Sequence, residues 1–338
     1  MADRLYRSST LAVRLHFCED KFRNFTGKTL IPDVAVIATS FFCFRMRQTT
    51  LLCSPMSKAF LFISILLSCA GPVFSQKTAA PEIQLLTRTT RRQETRRFSY
   101  GGTVTLITAP RGNVTVEGWA RNEVELTVDI ELQGPTEADL DQLAKVNTIV
   151  FDEDVNHLNI LTTGTHDRAF MKKTAKNFPK NLLNMPWKID YRLRIPINTD
   201  LDVNAGHGTI KLSGFEGALN LTATESDTAL TLTGGFVKTT VAAGTVTLNI
   251  PARSWRGAGA DVRIASGTIN VDLQAGFSGD IDAEVLRTGK IVNTFEGLAS
   301  REKPGITERT VRGRAGVGGP YFKFTVGDGV VNIRRAAQ

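Results

Sequence analysis

Beyond residue 69 the chain contains no cysteine, because all four of its cysteines, Cys18, Cys43, Cys53 and Cys69, lie near its start. The long remainder therefore has no disulfide framework, no thiolate metal ligand and no cysteine nucleophile. It also lacks a G-x-S-x-G nucleophile elbow, an H-E-x-x-H motif and a phosphate-binding P-loop. These absences predict a protein that is not an enzyme and that binds no cofactor or metal.

Most of the chain also lacks a large surplus of either charge. The formal net charge is +8, but residues 1–55 carry eight Lys and Arg against four Asp and Glu, and Lys58 adds one more positive charge. Residues 76–338 therefore keep a net charge of only about +3, and their positively charged residues are scattered along the sequence. A surface that follows nucleic-acid phosphates needs more positive charge than this, so we expect no nucleic-acid partner.

A short apolar run follows Met56 in the segment MSKAFLFISILLSCAGPVFSQ. Lys58 precedes the apolar residues 59–67, and small residues lead to a polar residue at Gln76. This order is typical of a secretory signal peptide, with an apolar run too short to span a bilayer. We expect residues 56–75 to be the signal peptide, rather than a buried apolar helix. Residues 1–55 are then an extension from a start codon assigned too far upstream, or else a second anchor or targeting segment.

Two processing sites compete at the end of this segment. Val73-Phe74-Ser75 precedes a cleavage between Ser75 and Gln76, which would release a soluble exported protein without a transmembrane span. Alternatively, residues 66–69 resemble a bacterial lipobox, in which Cys69 would become the lipidated first residue. We favour cleavage before Gln76 and expect the protein in the periplasm, at the outer membrane or on the cell surface, lipid-anchored if Cys69 is processed.

The remaining chain divides by composition. Residues 76–97 are polar and basic, and predict either a flexible, solvated leader or a patch that touches anionic lipid head groups or acidic polysaccharide. From Phe98 onwards, apolar and polar residues alternate as they do in β-strands. One short helix is predicted near 136–146, capped by Thr136, and residues 165–187 read as a long loop that leaves the sheet.

A repeated phrase follows, in which a glycine or polar corner precedes a short alternating strand. The markers Gly208, Asp227, Gly244, Gly267 and Gly289 are separated by 19, 17, 23 and 22 residues. Such spacing is too short for a helical hairpin, but it fits one turn of a β-coil whose corners need glycine, asparagine or aspartate. We predict an all-β fold, a single-stranded β-solenoid with degenerate repeats of about 17–23 residues. The alternative is an antiparallel β-sandwich.

Several motifs resemble a known family. They are the segment G-x-V-x-V at 112–116, the run Y-x-L-x-I-P-x-x-T-D-L-D-V at 191–203, the serial G-T-[IV]-x-[LV] turns and the closing segment at 318–333. This combination resembles the bacterial putative-adhesin domain family, whose function is unknown. The resemblance implies an exported β-strand-repeat domain over residues 98–338, similar to the modules of envelope-stress sensor proteins. It implies no catalytic residues.

Three acidic residues alternate in one strand of the repeat region. Asp280, Asp282 and Glu284 would project on one face, where calcium-binding or sugar-processing carboxylates could stand. Because Ile281, Ala283 and Val285 would fill the other face, we favour a solvated strand face without catalytic function.

Histidine gives no stronger evidence of a metal site. In the segment FDEDVNH at 151–157, Asp152, Asp154 and His157 could gather around a metal, but a polar turn between strands explains the same residues. His16, His166 and His207 stand too far apart to form a local ligand set.

Aromatic residues beside the repeat strands allow two interpretations. Phe215, Phe236 and Phe277 each lie next to a glycine, and we expect them to pack into the core or the corners. A stacking platform for glycans is the alternative, which would also use Trp119, Trp187, Trp255 and Tyr321.

The sequence therefore predicts a non-enzymatic exported cell-envelope protein with an adhesin-like binding or scaffolding role through an extended solenoid face. Its partner would be a glycan or a protein of the envelope or surface, and uncapped solenoid ends would favour self-association. One alternative is a polysaccharide-acting β-helix enzyme, a lyase or hydrolase. The other is an envelope-stress sensing module, which would need an anchor such as a lipidated Cys69.

The processing prediction can be tested on protein recovered from the envelope fraction of its native host. We expect intact mass and N-terminal sequencing to give a mature chain that starts at Gln76. An acylated Cys69 would instead identify a membrane-tethered module, and a chain that still begins at Met1 would contradict export.

Overall fold

The computed structural model describes residues 84–98 and 101–336, and these form an all-β fold, as the alternation predicts, together with two short α-helices. The strands are β1 (Leu86–Arg97), β2 (Thr103–Ile107), β3 (Val114–Trp119), β4 (Glu123–Gly134), β5 (Thr148–Glu153), β6 (His157–Thr163), β7 (Trp187–Pro196), β8 (Asp200–Ser213), β9 (Ala218–Thr231), β10 (Gly234–Ile250), β11 (Arg256–Leu273), β12 (Gly279–Asn293), β13 (Leu298–Ser300), β14 (Thr310–Ala315) and β15 (Tyr321–Arg335). The helices are α1 (Glu137–Val146) and α2 (Arg168–Thr174), followed by a 3-10 turn at Lys180–Leu182.

Six long strands lie side by side in parallel, in the order β8, β9, β10, β11, β15, β12. Their register places apolar residues in line across the sheet. One such row is Leu201, Leu219, Val237, Ala260, Phe322 and Ile281, and all six side chains are buried. Stacked apolar rows of this kind give each strand a core that it could not form alone.

The burial pattern changes phase in the middle of each long strand. In β8, Leu201 and Val203 are buried before the middle, and Ile210 and Leu212 are buried after it, so the buried positions pass from odd to even numbers. All four belong to one hydrophobic core. The backbone must therefore turn in the middle of the strand, and we call this point the corner.

Glycine occupies most corner positions and stacks from strand to strand. In Gly112, Gly208, Gly244, Gly267, Gly329 and Gly289 the φ angle lies between +123° and +150°, a range that L side chains rarely adopt. A Cβ added to Gly267 would lie 1.9 Å from the carbonyl oxygen of Gly244, and one added to Gly329 would lie 1.7 Å from that of Gly267. No side chain fits at these positions, because the neighbouring backbone occupies the space.

The strand order departs from the chain order at both sides of this stack. β15 lies between β11 and β12, and β8 pairs with β2 before the corner and with β3 after it. β6 and β7 then pair with the outer sides of β2 and β3. The parallel pairing rules out the antiparallel sandwich, whereas the solenoid itself stays a prediction.

The C-terminal strand is not an open end of the stack. The last strand, which ends in Arg334 and Arg335, would be an uncapped solenoid end if the strands lay side by side in chain order. In the structure this strand is β15, and both of its neighbours pair with it along its length. The expectation of an open end that favours self-association is therefore wrong for this strand.

The basic segment before residue 98 is also different from its prediction. Residues 86–97 of the supposed flexible leader form β1, which pairs antiparallel with β4 over twelve residues. Arg91 stands directly opposite Asp129 of β4, so the strand pairing brings these opposite charges together.

The short helix near 136–146 is confirmed. α1 begins after Thr136, whose Oγ1 accepts a hydrogen bond from the backbone N–H of Asp139 at 3.2 Å, and Leu140, Leu143 and Val146 are buried. Most of the predicted loop at 165–187 does leave the sheet, up to the start of β7 at Trp187, but it contains α2 rather than loop alone. Within the described residues, no helix has the length and apolar character needed to span a membrane.

The glycine stack leads to a stability prediction for Gly329→Ala. Positive φ alone should cost about 1–3 kcal/mol of unfolding free energy, and the collision with the Gly267 carbonyl should add about 1–3 kcal/mol. Gly319→Ala is the matched control, because Gly319 has φ +135° but nothing within 4 Å of an added Cβ. Urea unfolding measures both losses. Equal losses in the two variants would contradict the role given to backbone contact.

Candidate functional site

The described residues form an open groove of about 760 Å³ next to the corners, and it crosses β8, β9, β10, β11, β15 and β12. We call it the corner groove. One row of aligned residues faces the core just before the corners, and we call it the inward row: Ala205, Ala223, Val241, Ile264 and Val326. The floor of the groove consists of residues that directly follow this row in sequence, namely Thr224, Ala242, Ala265 and Gly327. Because these four residues are small, the surface is depressed where they stand in line.

One side of the groove is a line of polar side chains, which we call the polar row. It contains Asn204, Thr222, Thr240, Arg263, Thr325 and Glu284, which occupy equivalent positions in the strand register. Each of the six strands thus offers one hydrogen-bonding side chain to the groove, at intervals of about 4.8 Å. Because the register is fixed by the paired backbones, this spacing is part of the fold.

A β-bulge in β12 closes one end of the groove. Leu286 and Arg287 stand opposite the single residue Gly327, since Val285 pairs with Val326 and Thr288 pairs with Asp328. The guanidinium of Arg309 donates hydrogen bonds to the backbone carbonyl oxygens of residues 285, 286 and 287, at 3.3, 3.0 and 2.5 Å. The bulge is therefore held in place, and the Leu286 side chain is 53% exposed.

Arg287 forms an ion pair at this closed end. Its Nε lies 2.9 Å from an Asp328 carboxylate oxygen, and Thr288 donates its hydroxyl to the other oxygen at 2.8 Å. These two partners lower the pKa of Asp328 to about 2. The carboxylate therefore stays charged throughout the ordinary pH range.

The charges that line the groove are mostly compensated. Arg263 donates to both carboxylate oxygens of Asp261, at 3.0 and 2.6 Å, and Arg287 is paired with Asp328. Lys323 and Glu284 form no ion pair with any described residue, and their opposite charges leave the lining close to neutral. The groove is therefore polar along one side and mostly apolar at its floor, without a strong field of one sign.

The alternating carboxylates of β12 do lie on one face, with Ile281, Ala283 and Val285 buried behind them. Asp280 accepts hydrogen bonds from Arg314 at 2.7 and 3.2 Å, and this contact lowers the pKa of Asp280.

Asp282 is bound to Arg301 and accepts a hydrogen bond from the Tyr321 hydroxyl at 2.6 Å. Burial and Asp282 raise the pKa of Tyr321 to about 12. Asp280 and Asp282 are thus held by cations rather than simply solvated, and only Glu284 faces the groove.

The second acidic segment forms a turn, as the simpler interpretation predicts. The Asp154 carboxylate accepts the backbone N–H groups of Asn156 and His157, both at 2.9 Å, and lies 3.0 Å from the His157 ring nitrogen Nδ1. These contacts lower the pKa of Asp154. Asp152 pairs with Asn159 in the β5–β6 hairpin, and no group of three metal-ligating side chains occurs in the described part of the chain.

The other described histidines are apart from each other. His207 lies at the corner of β8, where its Nδ1 is 3.2 Å from Glu225 of β9. His166 packs on the Trp187 ring, with 5.3 Å between the ring centroids, and burial lowers its pKa.

The aromatic residues of the repeat region are mainly structural. Phe215, Phe277 and Trp255 are buried in the connections between long strands, and the Trp255 and Phe277 rings both contact Phe322 edge to face. The packing prediction fails for Phe236, which is 46% exposed on β10. None of these residues lines the corner groove.

The arginines of β1 are largely neutralised, which weakens the prediction of a patch for anionic lipid or acidic polysaccharide. The pairs are Arg88 with Glu137 and Asp141, Arg91 with Asp129, Arg92 with Glu94, and Arg96 with Glu94 and Glu153.

The predicted processing residues Cys69, Ser75 and Gln76 lie outside the described residues. The signal peptide and the lipidation site therefore stay predictions.

Comparison with known proteins gives only weak similarities. No protein-family model matches the chain, and no curated protein is significantly similar to it. Among solved structures, the chain is similar to a putative cell adhesion protein from Clostridium sporogenes, with a TM-score of 0.35 and 13% identity over 73% of this chain and 100% of that chain. Putative adhesins from Bacteroides fragilis (TM-score 0.27, 14% identity, 75% and 98% covered) and Parabacteroides merdae (TM-score 0.24, 11% identity, 73% and 97% covered) are also similar. Similarities this weak do not assign the chain to a family.

The ion pair at the bulge predicts a measurable titration. The Asp328 pKa is lowered in the folded state, so this carboxylate stabilises the fold at pH values above its ordinary pKa of 3.8, and the contribution is lost as pH falls through about 2. In Arg287→Gln we expect the Asp328 pKa to rise toward 3.8, measured by carboxyl NMR. Arg263→Gln, which removes the partner of Asp261 instead, is the control. An unchanged Asp328 pKa in Arg287→Gln would contradict this interpretation.

Proposed function

We propose that this protein is a non-enzymatic, exported cell-envelope protein with an adhesin-like role, which binds or scaffolds through the extended face of a β-solenoid. The observation that carries this proposal is the corner groove, a surface on which six strands each present one polar side chain in register. Sites built on paired strands are more rigid than sites built on loops, so this surface is suited to holding an extended ligand.

The short connections between parallel strands support the coil. Only four residues, 214–217, join the end of β8 to the start of β9. They span at most about 18 Å, whereas a straight strand of fourteen residues would be about 46 Å long. Yet the Ala218 backbone N–H donates to the side chain of Asp200, at the start of β8, at 2.7 Å. These distances support a coil in which β8 itself turns back toward its starting point, as its glycine corner allows.

The state of the carboxylates argues against a polysaccharide lyase or hydrolase. A general acid in such enzymes needs a raised pKa and a second carboxylate at a suitable distance. Asp280 instead has a lowered pKa beside Arg314, and Asp282 is occupied by Arg301 and Tyr321. Among the described residues that line the groove, Glu284 alone carries a carboxylate, and it forms no ion pair.

The export part of the proposal rests on residues 56–76 alone. A lysine, a short apolar run and small residues stand there in the order of a secretory signal. Cleavage before Gln76 would release the protein, whereas a lipidated Cys69 would tether it and would give the sensor alternative its anchor.

A combined test of binding and turnover can separate the adhesin-like role from the enzymatic alternative. Protein produced from the full-length coding sequence is incubated with immobilised polysaccharides and surface proteins, and retention and released products are both measured. We expect saturable retention on at least one surface, with no new reducing ends or unsaturated sugar products after long incubation. Products that accumulate with time would establish an enzyme, and an absence of retention on every surface would contradict the adhesin-like role.

A further inference from the structure

Resting on the proposed binding role, we propose that the corner groove holds a single chain of an uncharged linear polysaccharide, which runs across the strands. The ligand would lie along the floor Thr224, Ala242, Ala265 and Gly327 and make hydrogen bonds to the polar row. It would end against the bulge at Leu286 and Arg287.

The repeat of the groove matches the repeat of such a chain. Neighbouring strands are about 4.8 Å apart, so six strands cover about 24 Å from first to last. A pyranose ring in an extended polysaccharide advances the chain by a similar distance. Each strand can therefore meet about one sugar, and the same contact can recur from β8 to β12.

The polar row and the floor of the groove suit different parts of a sugar ring, its hydroxyl groups and its C–H face. Asn204, Thr222, Thr240 and Thr325 carry amide or hydroxyl groups that can donate and accept, as ring hydroxyls also can. The small floor residues let the C–H face of the ring approach closely. Ala242 and Ala265 are both exposed there, so this apolar surface is available to a ligand.

The charges favour an uncharged chain over an acidic one. Arg263 and Arg287 already form ion pairs, since each donates two hydrogen bonds to a carboxylate, that of Asp261 and that of Asp328. Lys323 is the remaining cation, and Glu284 opposes it in the same lining. An acidic polysaccharide would therefore gain little attraction and would meet the Glu284 charge.

Backbone pairing argues against an extended peptide as the ligand. A peptide that binds to a sheet gains most of its affinity from backbone hydrogen bonds at an open strand edge. The corner groove lies across β9, β10, β11 and β15, and each of these has a paired strand on both sides. Binding must therefore use side chains, which suits the hydroxyl groups of a polysaccharide.

The test measures the affinity of protein from the full-length coding sequence for neutral oligosaccharides by isothermal titration calorimetry. The probes are β-linked glucan, mannan and xylan oligomers of two to six sugars, with oligogalacturonate as the acidic comparison. We expect affinity for one neutral series to rise with length up to about six sugars, since six strands line the groove. The affinity should depend little on salt.

Two variants locate the site. Thr222→Val with Thr240→Val removes two hydroxyls without changing side-chain shape, and should weaken binding about tenfold or more. Ala242→Arg fills the floor and should weaken binding at least as much. The matched control is Thr245→Val with Thr247→Val, which removes two hydroxyls from β10 beyond the corner and should leave affinity within about twofold.

The outcomes separate this proposal from the general adhesin-like role. Neutral oligosaccharide binding that both groove variants retain would overturn the groove assignment while leaving the binding role intact. Retention on protein surfaces alone would overturn the polysaccharide, and binding only to oligogalacturonate, lost in salt, would overturn the uncharged chain. Failure to bind any surface would contradict both proposals. Circular dichroism of each variant establishes that the fold is kept.

Discussion

The close approach of one backbone to the next at the corners is the constraint on which the rest of this structure depends. At Gly244, Gly267 and Gly329 the carbonyl oxygen of one strand occupies the place where a Cβ of the next would stand. A larger residue would push the strands apart and break the hydrogen-bond ladder on both sides of the corner. Because the pairing continues in register through these points, the inward rows before and after each corner can pack into one core.

The corner also explains why a groove forms beside it. The buried positions change phase there, so two or more successive residues, such as Ala265 and Ser266 in β11, face outward without an inward residue between them. Where the residues that follow the inward row are also small, as at Ala242 and Gly327, the surface is lower than at the larger side chains beside them. The backbone turn that requires glycine at the corner thus also leaves a depression on the outer surface beside it. Because the strands pair in register, the depression continues from strand to strand.

Much of this fold is readable from local sequence, because its rules act over a few residues. Alternation predicts the strands, Thr136 with Asp139 predicts α1, and glycine marks the corners. The marker at Asp227 is off by one residue, since Ser226 is the residue that pairs with both Gly208 and Gly244. Ser226 is buried and its hydroxyl lies 2.7 Å from that of Thr228, a contact with no glycine signature. The groove itself is not readable in this way, because its polar row consists of ordinary residues that meet only through the register of six strands.

Long-range pairing decides the features that local patterns misjudge. The arginines of β1 read as a solvated leader, yet Arg88, Arg91 and Arg96 have partners in α1, β4 and β5, so much of their charge is compensated only after folding. The last strand reads as an end, yet β15 enters between β11 and β12 and becomes internal. This insertion gives the strand that carries Phe322, Phe324 and Val326 a paired neighbour on both sides. At the opposite end of the described sheet, the arginine-rich strand β1 is the edge. Charged side chains on an edge strand hinder its pairing with another chain, so the composition of β1 protects this edge from aggregation.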